Sequence, residues 1–495
     1  MMSNSKKRLH KVAIVSNALK TLKEAIIPFI VLFVFGGDKG SKWESIELYI
    51  ILGVGLLILI YGLISWWRFT YELTDYELRI EQGVFVRNKR YIRFERIQSV
   101  DLSEGILQQL FGLVKVKIET AGTSGLQAEA VLTAITKQEA SKIETAIRDS
   151  KRSSKDLLIE EDGHEQMGEI STPLSKFQLS FKELFIMGIT SGGAGVVFSG
   201  AMAFFSQFEE YIPYEKVFKG FEKFIASGVM VITVLVLIGL IIAYIVATAG
   251  IVLKYAFFTV VKKEDELIIT RGLLERRQIT IPLKKIQAIR IVENLVRQPL
   301  GYATVYLENA AGSVMDQEAS KVMIFPLVKK NRIQGLLQEF VPTYQYPNNI
   351  LPVPKRSVTN YLFQQWVFWI PVCIAIIIFF RPWGFLSLFL LPISGVWAFI
   401  NYRTAGWFVG NQQLSLRYRT ISKHTFLVLK NRIQSIENKG SWFQKRRQLS
   451  TLSAFIKLGI GPGTGKVVHM DEQDADIIKA WYLPGRIDQR NEMDV

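Results

Sequence analysis

The stretch Gly83-Val-Phe-Val-Arg-Asn-Lys-Arg-Tyr-Ile-Arg-Phe-Glu-Arg-Ile-Gln-Ser-Val100 decides the reading of this chain, because it occurs three times. It returns as Gly272-Leu-Leu-Glu-Arg-Arg-Gln-Ile-Thr-Ile-Pro-Leu-Lys-Lys-Ile-Gln-Ala-Ile289. A third, less faithful copy is Arg419-Thr-Ile-Ser-Lys-His-Thr-Phe-Leu-Val-Leu-Lys-Asn-Arg-Ile-Gln-Ser-Ile436. A basic residue followed by Ile-Gln-(Ser/Ala)-(Val/Ile) recurs at 96–100, 285–289 and 432–436. In the first two copies a glycine stands 14 residues before the central isoleucine and another 15 after it, within Phe111-Gly112-Leu113 and Leu300-Gly301-Tyr302. The third copy carries Arg419 and Gln448 at those places. Such self-similarity marks one structural unit used repeatedly.

Read locally, the unit is strand-rich. Residues 76–81, 84–94 and 114–120 alternate or run apolar with β-branched side chains between glycine turns. A helical pattern then closes each copy. Thr136-Lys-Gln-Glu139 has the spacing of a capping box ahead of 140–148, Pro326 precedes the run 327–340, and Asp471-Glu472 open the run to Trp481. Several strands and one terminal helix in roughly 80 residues suit a small barrel or bent sheet plugged by that helix.

Ahead of each copy lies a pair of apolar stretches: 25–35 with 48–67, 184–205 with 225–253, and 366–380 with 385–400. About 20 apolar residues cross the hydrocarbon core as a helix. Segments 48–67, 184–205 and 225–253 are long enough, and 25–35 becomes so by extending back through 12–22. The last pair is short and contains prolines, which leaves a re-entrant arrangement open. Basic residues flank the outer ends: Lys6, Lys7, Arg8, Lys11, Lys20 and Lys23 before the first stretch, Arg68 after Trp66-Trp67, and Lys355-Arg356 and Arg403 around the third pair. The positive-inside rule then predicts a multi-pass plasma-membrane protein with both termini and all three modules cytoplasmic. The first stretch lacks a small-residue cleavage site and reads as a retained helix.

Composition agrees with a membrane location. Of 495 residues, 49 % are hydrophobic and only 21 % charged, and 12 % aromatic content excludes a disordered chain. Cys373 is the only cysteine, so a disulfide scaffold is excluded. The net charge of +16 implies an anionic neighbour. An anionic leaflet fits the apolar hairpins, whereas nucleic acid is not expected, since the basic runs lack interleaved stacking aromatics in a separate soluble domain. The fold class expected is a multi-domain membrane protein in which transmembrane α-helical hairpins (1–67, 183–253, 363–402) alternate with three β-rich domains (68–150, 254–340, 403–495). Polar and proline-rich linkers fill 151–182 and 341–362.

On the hairpin-then-module order, the Gly-(Val/Leu)…Arg-Ile-Gln-Ser-Val signature and the Phe-Gly-Leu step, the chain resembles bacterial membrane proteins with pleckstrin-homology-like (PH) domains, of the YdbS/YdbT type. It looks most like the long, YdbT-like form, over nearly its whole length. The resemblance implies two near-orthogonal sheets capped by a C-terminal helix, and it brings no catalytic residues to carry over. It also implies a hetero-assembly with a shorter, one-module family member.

Candidates for chemistry are few. His10, His164, His424 and His469 are scattered, and one cysteine cannot build a zinc cage, so no metal or other cofactor is expected. Gly459-Ile-Gly-Pro-Gly-Thr-Gly-Lys466 has Ile460 and Val467 where a phosphate loop needs glycine and a hydroxyl, and reads as a hairpin turn. Asp471, Glu472, Asp474 and Asp476 suit a helix start rather than a cation loop. Cys373 reads as helix packing. The run Ser191-Gly192-Gly193-Ala194-Gly195 suits close helix approach in lipid.

Basic residues are the remaining candidates. Net charge rises from zero in 68–150 to +5 in 254–340 and +8 in 403–482. Arg87, Lys89, Arg90 and Arg93, then Arg276, Arg277, Lys284 and Lys285, then Lys423 crowd the first hairpin of each module, with Arg417 and Arg419 beside the last; Lys445-Arg446-Arg447 form a further cluster. Each charge near an anionic leaflet is worth about 1 kcal/mol. The function expected is a non-enzymatic membrane protein whose modules bind anionic lipid headgroups, one another or a partner, in a setting of cell-envelope protection. A transporter or flippase-like translocator is the alternative, disfavoured because the apolar segments hold almost no ionisable residue other than Arg381 between the third pair.

Overall fold

The computed structural model describes residues 6–18, 41–120, 130–156, 175–191, 229–310, 320–347, 349–381, 383–458 and 461–483. The apolar stretch 25–35, the part of 184–205 beyond Ser191 with the rest of its small-residue run, and the segment 206–224 lie outside these residues. The chain forms two compact units, one made of Met1–Leu174, Phe257–Pro282 and Ser313–Met315 and the other of Ser175–Ala256, Leu283–Gly312 and Asp316–Val495.

The first unit begins with a helical segment at 12–18, followed by α1 (Ser41–Arg68). The first module then forms two antiparallel sheets. Strands β1 (Thr70–Leu73), β2 (Glu77–Gln82) and β3 (Asn88–Arg93) make one, in the order β1-β2-β3. Strand β4 (Ile97–Glu104) leads through α2 (Ile106–Leu110) to β5 (Leu113–Thr120) and β6 (Ala130–Thr136), and α3 (Lys137–Asp156) closes the module. Alternation puts Leu78, Ile80, Ile92, Val116, Ile118 and Leu132 into one core with Ala140, Ile143 and Ile147 of α3. At about 25 cal/mol per Å² of apolar surface, that shared core is what holds so small a module together. Only half of the expected capping box forms at α3: Thr136 Oγ1 accepts from the Glu139 amide at 3.3 Å. The Glu139 carboxylate turns instead to Lys7 at 3.1 Å and the Tyr71 hydroxyl at 3.0 Å, tying the N-terminal segment to the module.

Strands β7 (Ser175–Gln178), β8 (Thr259–Lys263), β9 (Glu266–Arg271) and β10 (Arg276–Pro282) follow, with α4 (Phe181–Thr190) and α5 (Val229–Tyr255) between β7 and β8. The sheet β8-β9-β10 belongs to the second module, yet β10 pairs antiparallel with β4 of the first, Arg276 opposite Glu104 and Thr280 opposite Val100. The two modules thus share one sheet within the first unit. Arg277 crosses this joint to Asp101 at 3.1 Å.

The second unit repeats the device. Strands β11 (Ile286–Glu293), β12 (Tyr302–Asn309) and β13 (Lys321–Lys329), closed by α6 (Lys330–Phe340), complete the second module. Residues 327–329 are therefore strand, not helix as the proline suggested, because Leu327 and Val328 are needed in the core. The 341–358 linker is packed rather than a bare spacer: Tyr344 and Val353 are buried, and β14 (Leu351–Pro352) pairs with β15 (Gly406–Val409). Between them α7 (Val358–Phe379), a stretch of 3-10 helix (Trp383–Phe389) and α8 (Leu390–Thr404) form the third hairpin. Strands β16 (Gln413–Arg419) and β17 (Lys423–Leu429) follow, and β17 pairs with β11, Val428 opposite Ala288 and Lys423 opposite Glu293. Glu293 lies 3.0 Å from Lys423. Behind this joint the Arg290 guanidinium is buried against Glu308 and the Tyr418 hydroxyl, and donates to the Thr464 carbonyl at 3.0 Å. A second sheet, β18 (Ile433–Lys439), β19 (Leu449–Leu458) and β20 (Gly461–Asp471), leads to α10 (Glu472–Tyr482) after the single-turn α9 (Trp442–Lys445).

The described part of the glycine-rich run, Gly461–Lys466, is strand rather than the turn expected, because it opens β20. Gly463 and Gly465 lie inside β20, where a Cβ at Gly465 would overlap the Phe426 ring and one at Gly463 would come within 2.8 Å of Ile456 and Leu458. Asp471 caps α10, its carboxylate accepting from the Gln473 amide at 3.3 Å.

Among the described residues, three helices are long and apolar enough to cross a membrane: Leu237–Tyr255, Lys355–Phe379 and Gly384–Thr404. The third pair is longer than its apolar core suggested because α7 begins at Val358 and carries Pro371 within it, a residue that membrane helices tolerate. Close helix packing is seen at Gly188, where a Cβ would press on Thr248 and Val252 of α5.

Candidate functional site

Between the fourth and fifth strands of each module the chain makes a short helical turn: 105–112, 294–301 and 441–448. The three are related by offsets of 189 and 147 residues. Gly112 and Gly301 end their turns with φ of +65° and +72°, the left-handed region that glycine enters without cost. Gln448, at the third position, adopts the same conformation with φ +52°. The third module has lost the glycine and kept the backbone.

A polar side chain is buried at the same place in every turn: Gln108, Arg297 and Gln444. Gln108 and Arg297 reach the helix that leads into their module's hairpin directly, and Gln444 reaches it through His469. Gln108 Nε2 donates to Ser16 Oγ at 2.9 Å. Arg297 donates from Nε to Thr190 Oγ1 at 2.8 Å, from Nη2 to Ser191 Oγ at 2.7 Å, and from Nη1 to Thr304 Oγ1 at 2.6 Å. It also reaches the Met187 carbonyl at 3.3 Å, a cation at the C-terminal end of α4. Burial pulls its pKa below the ordinary guanidinium value. In the third module Gln444 Nε2 lies 2.9 Å from His469 Nδ1, and His469 Nε2 lies 3.3 Å from Gln364 Oε1 of α7. The Phe443 ring also packs on Phe363 of α7, centroids 5.1 Å apart.

Around each buried polar group the turn exposes large apolar side chains. The first shows Ile106, Leu110 (75 %) and Phe111, the second Leu295, Val296 and Leu300, and the third Trp442 (66 %) and Phe443. Water is a poor environment for three such patches, and a lipid interface a good one. In the third turn Lys445, Arg446 and Arg447 are exposed beside the aromatics, with the Arg446 guanidinium 5.3 Å from the Trp442 ring centroid.

The other basic residues named from the sequence lie elsewhere. Arg87, Lys89, Arg90 and Arg93 are on or beside β3, where Glu81 pairs with Arg87 and sits 4.0 Å from Lys89. Arg276 and Arg277 open β10, and Lys423 opens β17; the last two are engaged with Asp101 and Glu293 at the module joints. Lys284 and Lys285 occupy a single 3-10 turn whose Lys284 carbonyl accepts from Arg432 at 2.7 Å. Arg381 lies between α7 and the 3-10 stretch. Among the described residues no cluster of His, Cys, Asp or Glu could hold a metal ion. Gln108, Arg297 and Gln444 escaped sequence reading, although the repeat offsets alone place a polar residue at that point in all three turns.

A repeated two-sheet module with a closing helix, joined to apolar helices, defines a membrane protein of repeated PH-like domains. Residues 26–151, 219–340 and 365–485 each match the Bacterial PH domain, and the chain belongs to that family. Over 492 residues, 97 % of this chain and 99 % of the other, it is 37 % identical to the UPF0699 transmembrane protein YdbT of Bacillus subtilis (strain 168). A 57-residue stretch is 40 % identical to the UPF0699 transmembrane protein YdbS of the same organism, covering 12 % of this chain and 35 % of that one.

Proposed function

We propose that this chain is a non-enzymatic membrane scaffold whose hairpins hold three PH modules against the cytoplasmic leaflet. The exposed turn of each module lies in the headgroup region, and the third binds anionic lipid through Lys445, Arg446 and Arg447 with Trp442 as anchor. The observation that carries this reading is the repeated lock between turn and membrane-entering helix, direct at Gln108 and Arg297 and carried by His469 from Gln444. A turn fastened there is held at the depth where aromatic and basic side chains partition. With about 1 kcal/mol per charge, neutralising Lys445, Arg446 and Arg447 together to Gln costs roughly two orders of magnitude in anionic-lipid retention. The test is native mass spectrometry of the full chain extracted in lipid discs of mixed anionic and zwitterionic lipid at low salt. Enrichment of anionic lipid that the triple variant loses supports the proposal; equal enrichment in both proteins refutes it.

A further inference from the structure

Both joints inside the chain are made by the same two edges in the same register. At the first, Glu104 of β4 faces Arg276 of β10; at the second, Glu293 of β11 faces Lys423 of β17. Glu104 and Glu293 occupy equivalent positions of their modules, 189 residues apart, and Arg276 and Lys423 do likewise, 147 residues apart. A fourth-strand edge of one module therefore receives the third-strand edge of the next, twice. Two edges of these types remain. Among the described residues β3 has a single ladder, to β2, and β18 a single ladder, to β19.

We propose that β18 of one copy of this chain pairs antiparallel with β3 of a second copy, extending the in-chain joint into a head-to-tail assembly. Transferring the shared register places Ile436 opposite Tyr91, Glu437 opposite Arg90, Asn438 opposite Lys89 and Lys439 opposite Asn88. The pairing is complementary. Ile289 and Leu427, the equivalents of Ile436 and Tyr91, face each other fully buried in the second joint, and Tyr91 is 59 % exposed without such a partner strand. An aromatic facing a β-branched side chain and an acid facing a base are both favourable cross-strand pairs. Charge on an edge often serves to block pairing, but Arg276 and Arg277 show that basic edges of this family of strands do pair within the chain. The contact joins two different surfaces, so it propagates into a ring or a filament rather than a two-fold dimer. It does not depend on the lipid contact proposed above.

The test uses the full chain with Cys373→Ala, carried in one cell as two differently tagged copies, one with Tyr91→Cys and the other with Ile436→Cys. A short bis-maleimide is applied to native membranes. The proposal expects a cross-linked product carrying both tags, and none when both copies bear the same single cysteine. Replacing Ile436→Cys by Lys457→Cys, outside the predicted edge, serves as the control and should reduce the product at least tenfold. Absence of the doubly tagged product overturns the proposal, as does an equal yield from the control. So does exclusive cross-linking of Ile436→Cys to a smaller protein, which would make the occupant a single-module relative.

Discussion

His469 bridges Gln444 and Gln364, 2.9 Å from one and 3.3 Å from the other, so one imidazole connects the third module's turn to α7. The arrangement uses a neutral ring, with Nδ1 accepting from the Gln444 amide and Nε2 donating to Gln364, an assignment made from the bonds themselves. Burial, then the charge of Lys466, lowers the His469 pKa from 6.5 to about 4. His424 is lowered to about 4 by burial and then by Arg290, Lys321 and Arg419. Both groups bind protons more tightly in the unfolded chain. Their contribution is therefore complete above the unfolded value of 6.5 and is lost as pH falls from there towards 4. Thermal melts in discs should show a lower transition near pH 5 than near pH 7, and His469→Gln should weaken that dependence. Identical pH profiles for wild type and His469→Gln would contradict the assignment.

Arg297 offers a sharper mutational test, because it satisfies acceptors on α4 and on β12 at once. Arg297→Met keeps the stem and removes every donor, at a cost of about 3 kcal/mol for the orphaned polar groups. Hydrogen exchange in 181–191 should accelerate accordingly. The exposed control Arg332→Met should leave it unchanged.

The left-handed residue Gln448 predicts a stabilising change. Gln448→Gly relieves a backbone conformation that costs a side-chain-bearing residue about 1 kcal/mol and should raise the denaturation midpoint. Gly301→Ala, with open space around the new methyl but φ +72°, should lower it by a similar amount.

At Gly465 sterics dominate. Gly465→Ala forces the Phe426 ring to move within a filled core and should destabilise the third module by about 2–3 kcal/mol. Gly410→Ala, whose methyl meets neighbours only at 3.6 Å, should cost far less. Comparable denaturation midpoints for the two variants would show that the ring is free to yield.

Much of this was legible in the sequence. The triplicated signature located the modules because Ile97, Ile286 and Ile433 are core positions whose spacing local propensity preserves. Among the described residues the third apolar pair forms a helical hairpin, which its short apolar length alone had left open. The joints were not legible, since nothing in a strand's own alternation says which edge it will meet; Arg277 and Lys423 therefore read as free basic residues rather than as partners of Asp101 and Glu293. Gly463 and Gly465 read as turn residues because what crowds them, Ile456 and Leu458 at the first and the Phe426 ring at the second, meets them only once the strands pair. The site was half legible. Lys445, Arg446 and Arg447 stood out by charge, whereas Gln108 and Gln444 are ordinary residues until the fold directs them at a helix.

The most direct measurement of the central claim is the depth of the turns. In a full chain with Cys373→Ala, an environment-sensitive fluorophore is placed through Phe111→Cys, Leu300→Cys or Trp442→Cys, and for comparison through Phe85→Cys, a site 92 % exposed on the first hairpin. In lipid discs, labels on all three turns should be quenched by lipid-borne quenchers and shielded from a water-soluble one, while the label at position 85 behaves oppositely. Turn labels quenched from water as readily as the label at position 85 would contradict it.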